Sequence, residues 1–125
     1  MRLQECFFHV TVLFATSVPV MFAQAKTSAG PDCGGPNHWP ASMTFSYLKN
    51  AGIINAYKID FTKTTSIRIS SQRIARDLYR QVYDIVYVEK AGSKIEAIAV
   101  ADASSQECSM SGVTVYVVSR KLGPE

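Results

Sequence analysis

The chain has 125 residues and a formal net charge of +3, with 47% hydrophobic and 18% charged residues. That length suits one domain with a modest core rather than several. The charge is mild and no basic-aromatic recognition motif accompanies it, which argues against nucleic acid as a partner; no internal repeat or low-complexity tract is present.

The first 25 residues read as a cleaved secretory signal peptide. A short polar lead carrying Arg2 precedes the apolar run Cys6 to Phe22, and Ala23-Gln24-Ala25 supplies the small-x-small pattern of a signal-peptidase site. The run is 17 residues long and contains His9 and Pro19, whereas a spanning helix needs about 20 predominantly apolar residues. The mature chain is expected to begin at Lys26, without a stable membrane anchor, in the periplasm or the medium. Cys6 leaves with the leader, so Cys33 and Cys108 remain. In an oxidising compartment they are expected to pair, and a loop of that length contributes roughly 4 kcal/mol on the chain-entropy model. Zinc is disfavoured, because His38 is the single further nitrogen or sulfur ligand of the mature chain.

Residues 26–36 (K-T-S-A-G-P-D-C-G-G-P) read as an extended tail ahead of one domain, 37–125. Pro40 suits the first turn of a helix over Ala41 to Ala51, with Met43, Tyr47 and Leu48 on an apolar side, Phe45 offset, and Gly52 as a left-handed cap. Ile53 to Phe61 alternates Tyr57, Ile59 and Phe61 against Lys58 and Asp60 and is predicted as a strand. After the connector 62–65, Ser66 to Ser70 is predicted as a second, with Ile67 and Ile69 inward and Arg68 outward. Ser71 to Asp77 is open between a turn of helix or bend at 72–77 and an amphipathic helix reaching Asp84, since Ile74, Leu78 and Val82 share helical spacing.

Leu78 to Val88 (L-Y-R-Q-V-Y-D-I-V-Y-V) is dense in β-branched and aromatic residues and is predicted as the central strand. Lys90-Ala91-Gly92-Ser93 marks a hairpin turn. Lys94 to Ala101 is predicted as a strand apolar on both faces, 103–112 as a polar loop carrying Cys108, and Val113 to Ser119 as the last strand. The expected fold class is α+β: one N-terminal helix packed on an antiparallel meander of about four to five strands. This arrangement resembles the cystatin-like architecture, in which a sheet wraps a helix; the likeness is architectural and implies no function.

No catalytic constellation emerges, so no enzyme activity and no cofactor are expected. His38 is the single imidazole of the mature chain and stands at the helix entrance, where a surface or capping role suits it. Ser46-Tyr47-Leu48-Lys49 has the S-x-x-K spacing of β-lactamases, but the S-D-N and K-T-G partners are missing. Of the carboxylates Asp84, Glu89, Glu96 and Asp102, Glu89 and Glu96 are expected nearly opposite each other beside Lys90 and Lys94, as cross-strand ion pairs. Gly34-Gly35-Pro36 lacks the strand and lysine of a phosphate loop and reads as a turn.

A local basic excess over Lys58 to Arg80 makes Arg68, Arg73, Arg76 and Arg80 a candidate patch, against the alternative of solvated, edge-protecting charge. Ser111 to Tyr116 (S-G-V-T-V-Y) resembles the S-G-x-x-Y loop of periplasmic inhibitors of C-type lysozyme, with a spacer of three residues instead of two. In a strand that shift moves Tyr116 to the other face, so the roles of Ser111 and Tyr116 are not carried over. The sequence therefore points to a small exported binding protein, of inhibitor or immunity type, with another envelope or extracellular protein as partner. His38, Trp39, Ser109, Met110, Ser111 and Tyr116 are its candidate contact residues, and an exposed Trp39 its natural anchor. The alternatives are an accessory protein of an envelope apparatus and a small hydrolase.

Overall fold

Pro40 stands one residue into a helix, where its missing N–H is no loss. The computed structural model describes residues 30–118; the expected signal peptide lies outside them. Helix α1 spans Trp39–Asn50, with extended His38 as its N-cap residue. It ends through Gly52, whose φ of +73° is the left-handed cap read from the sequence. The expected apolar side is only partly right. The fully buried positions are Pro40, Ala41, Thr44 and Leu48, while Tyr47 is exposed and Met43 and Phe45 flank the core. Small residues face the sheet because the helix lies close to it, and the Thr44 hydroxyl is satisfied by donating to Pro40 O at 2.7 Å.

Residues 53–61 are not a strand. They form a 3-10 turn at Ala56–Lys58, and a second follows at Phe61–Lys63. Asn55 and Asp60 cap these turns by accepting from the backbone N–H groups of Tyr57 and Thr62 at 3.0 and 3.1 Å. These local side-chain bonds outcompete an extended ladder. Tyr57 and Phe61 point to solvent, and only Ile59, bridged to Glu89, is buried as expected.

The sheet comprises β1 (Thr65–Ala75), β2 (Leu78–Val88), β3 (Lys94–Ala103) and β4 (Thr114–Val118), an antiparallel meander in the order β1-β2-β3-β4. With the helix N-terminal to it, this is the expected α+β arrangement. β2 keeps the bounds read from the sequence. β1 is longer than expected and absorbs the ambiguous 71–75, so neither helix nor bend forms there. A two-residue turn, Arg76-Asp77, joins it to β2, with Asp77 at φ +51°.

The facing of β1 is inverted relative to expectation. Register irregularities fall at Ile69 and Ile74, Ser66 and Ser71 are buried, and Ile67 and Ile69 are 61% and 57% exposed. Arg68 turns inward, its guanidinium donating to Pro31 O at 2.6 Å. The inner side of β1 is roofed by the polar backbone of the 30–36 tail, so it takes donors instead of isoleucines.

On the inner face, Gln81, Tyr83, Ile85 and Tyr87 of β2 lie beside Ala97, Ala99, Ala101 and Ala103 of β3, all buried. The alanine row leaves room for α1. The tail is fastened by the disulfide Cys33–Cys108, whose Cα atoms are 5.7 Å apart across 75 positions of sequence. It is also held by Gln81 Nε2, which donates to Pro31 O at 2.7 Å. At Gly30, with φ +49°, a Cβ would stand 2.8 Å from the Tyr79 ring, so only glycine fits.

Candidate functional site

The outer sheet face carries no described helix or strand over it, and the β3–β4 loop borders one end. That loop is braced. Ser104 N–H donates to Glu107 O at 2.8 Å, Met110 N–H to Asp102 O at 3.1 Å, and Asp102 N–H to Ser111 Oγ at 2.8 Å. Cys108 ties it to the tail. Asp77 adds a link from the β1–β2 turn, its carboxylate accepting from the Ser105 N–H at 2.9 Å and hydroxyl at 2.8 Å. Those bonds hold the Asp77 carboxyl below its ordinary value of 3.8.

A concavity of about 340 Å³ lies where the loop meets the outer face, lined by Arg80, Val100, Asp102, Ser111, Thr114 and Tyr116 among others. Arg80 grips Asp102 with two parallel hydrogen bonds, Nε to Oδ1 at 2.9 Å and Nη2 to Oδ2 at 3.1 Å. These bonds, with the Asp102 charge, hold the guanidinium more firmly protonated than usual. Ser111 Oγ also donates to Gly112 O at 2.8 Å, so its hydroxyl is fully engaged in holding the loop.

Beyond the concavity the face is mainly apolar. Side chains alternate along each strand. The register therefore sets Ile67, Asp84, Ile98 and Tyr116 in one row across the four strands. Val86 and Val118 flank Glu96 in the next row, and Val82 and Val100 stand side by side in the row before. Tyr116 is 60% exposed, and Asp84 holds the centre with its Oδ1 buried and unbonded.

The structure gathers some of the sequence-derived residues and scatters others. Ser111, Tyr116 and Arg80 meet at the concavity; Ser109 and exposed Met110 lie on the adjoining loop. Trp39 is a brace and not an exposed anchor: it is half-buried, and its indole N–H donates to Ser111 O at 3.2 Å. His38 is exposed at the helix entrance and its side chain makes no cap bond. The four arginines do not form one patch. Arg68 turns to the tail, Arg73 donates to Ala75 O at 3.2 Å, Arg76 occupies the hairpin turn, and Arg80 lies on the outer face bound to Asp102.

Ser46 donates to Ser42 O at 3.0 Å, within α1. Glu89 and Glu96 do not pair with Lys90 and Lys94. The register sets Glu96 against Val86, and Lys90 Nζ instead donates to Tyr57 O at 2.8 Å. Glu89 lines a separate hollow of about 490 Å³ with Lys49 and Ile53, on the helix side of the sheet. Among the described residues no group of three or more His, Cys, Asp or Glu is placed to hold a metal ion, and no helix is long and apolar enough to cross a membrane.

Sequence reasoning named Asp84 only as one of four carboxylates and missed the outer face that it centres. The signal was present: Lys94 to Ala101 reads as apolar on both sides, yet a single helix was predicted to cover the sheet. Among the described residues, one face of the sheet is left uncovered.

Compared with known proteins, the chain matches no protein-family model, and no curated protein or solved structure is significantly similar to it.

Proposed function

We infer that this is a small exported binding protein, of inhibitor or immunity type, that engages another envelope or extracellular protein through the outer face of its sheet. The observation that supports this most directly is that face: a row of apolar side chains on rigid strands, uncovered by any described element and edged by a disulfide-tethered loop. Exposed apolar patches on rigid scaffolds favour protein recognition. The polar clusters are consumed in bracing, as at Ser111 and Trp39, which suits recognition better than turnover. Export rests on the leader pattern of residues 1–25 together with the disulfide.

The test is affinity capture from an envelope extract with the oxidised protein and with Ile98→Glu, which plants a charge beside Asp84 in the row. A protein retained by the native chain at micromolar concentration and lost with Ile98→Glu is the expected result. If folded samples of both retain the same proteins, or neither retains any, the reading is wrong.

A further inference from the structure

The outer face differs in charge from the chain around it. The protein is net basic, at +3, yet this face centres on a carboxylate without a counter-ion. The described ion pairs are Lys63–Asp60 and Arg80–Asp102, which leaves Asp84 and Glu96 unpaired among the described residues. Lys94 stands two residues before Glu96, at the hairpin end, and pairs with neither. Asp84 has Val82 and Val86 on its own strand and Ile67 and Ile98 beside it on β1 and β3. Its Oδ1 is buried and has no hydrogen-bond partner.

A carboxylate oxygen held among aliphatic side chains without a donor carries a desolvation cost that a partner's charge can offset. We propose that the outer face docks an apolar protein segment presenting an arginine or lysine to Asp84, an inference that rests on the binding reading above. The incoming cation supplies the missing counter-charge, and its apolar neighbours cover Val82, Val86 and Ile98. Arginine fits best, because its weakly hydrated guanidinium keeps its charge at an apolar surface and offers several donors to the carboxylate. Tyr116, at the far end of the same row, adds an exposed aromatic ring of the kind enriched at interfaces. Charge argues against the other occupants. A second copy packed on this face about its centre would bring Asp84 against Asp84, and an anionic lipid surface would be repelled by Asp84 and Glu96.

The test selects a phage-displayed library of random 12-residue peptides on the oxidised protein and measures synthetic versions against native, Asp84→Asn and Ile98→Glu chains. Enriched peptides should carry Arg or Lys flanked by apolar residues. They should bind Asp84→Asn at least about tenfold more weakly and lose binding to Ile98→Glu. Replacing the peptide's arginine with citrulline should give the same loss on the unaltered protein, which decides the matter if Asp84→Asn misfolds. An empty selection, or peptides without a basic residue, overturns the proposal, as does equal affinity for native and Asp84→Asn chains. If Ile98→Glu still abolishes such charge-indifferent binding, the docking face stands and only its chemistry is wrong. Ile98-dependent self-association in sedimentation, or flotation with anionic vesicles, replaces the basic segment with a second copy or a lipid surface.

Discussion

Tyr83 and Tyr87 show how single residues bind the layers together. Tyr87 lies under α1 and donates to Ala41 O at 2.7 Å, and Tyr83 donates to Gln81 Oε1 beneath the tail. Burial raises both phenols above their ordinary value of 10.0; for Tyr83 a hydrogen bond from the Cys33 backbone opposes the rise, and for Tyr87 one from Phe45 does. The folded chain thus keeps them protonated to higher pH than the unfolded chain does. Their contribution is intact below about pH 10 and is lost as pH climbs toward the folded values, by about 1.4 kcal/mol per pH unit for each. Tyr87→Phe should cost about 1–2 kcal/mol at pH 8 and flatten the decline above pH 10 in urea titrations. Lysine and arginine titrate in both proteins and cancel in the difference. Parallel declines of the two chains between pH 10 and 11.5 would show that this phenol does not govern alkaline unfolding.

Among the elements, legibility followed the strength of the pattern. β2 and the Gly92 hairpin were readable because β-branched density and turn chemistry agree there. The 53–61 segment was not, because its alternation competes with two Asx-capped turns that only the positions of Asn55 and Asp60 announce. β1 was misread in facing because register irregularities at Ile69 and Ile74 break the period of two, and because donors on that side serve the tail's carbonyls. The alanine row of β3 was visible in the sequence, but its meaning appears only with α1 laid on it. Ala99 is fully buried between Tyr83 and Val115 in the register, in the β3 row on the helix side of the sheet. Ala99→Leu should therefore overpack this layer and cost about 1–3 kcal/mol, while Val100→Leu on the open face stays within about 0.5 kcal/mol. Guanidinium unfolding midpoints of the two variants compare the faces directly; equal shifts would mean that α1 does not press on β3.

At the scale of the molecule, the pairing of Cys33 with Cys108 was readable from cysteine number alone, whereas the open face was not. Its existence depends on how many layers the chain can build: one helix covers one side of a sheet whose two sides are both apolar. The disulfide bears on that face indirectly, through the loop that borders the concavity. Closing 75 positions, it stabilises the fold by roughly 4 kcal/mol, a large share of the 5–15 kcal/mol typical of such domains. Two other attachments of the tail survive its loss, Arg68 and Gln81 on Pro31 O. The Cys33→Ser/Cys108→Ser double variant should therefore lose roughly that amount without losing the sheet. Backbone amide exchange separates the layers: residues 33–36 and 104–112 should exchange much faster, and β2 and β3 only in proportion to the lower global stability. Because Met110 N–H and Ser111 Oγ join the loop to Asp102, the loosening should reach the concavity and stop there, so that Asp84-centred binding persists in the same variant. Uniform acceleration across the sheet, with loss of Asp84-centred binding, would instead make the disulfide a condition of the whole fold.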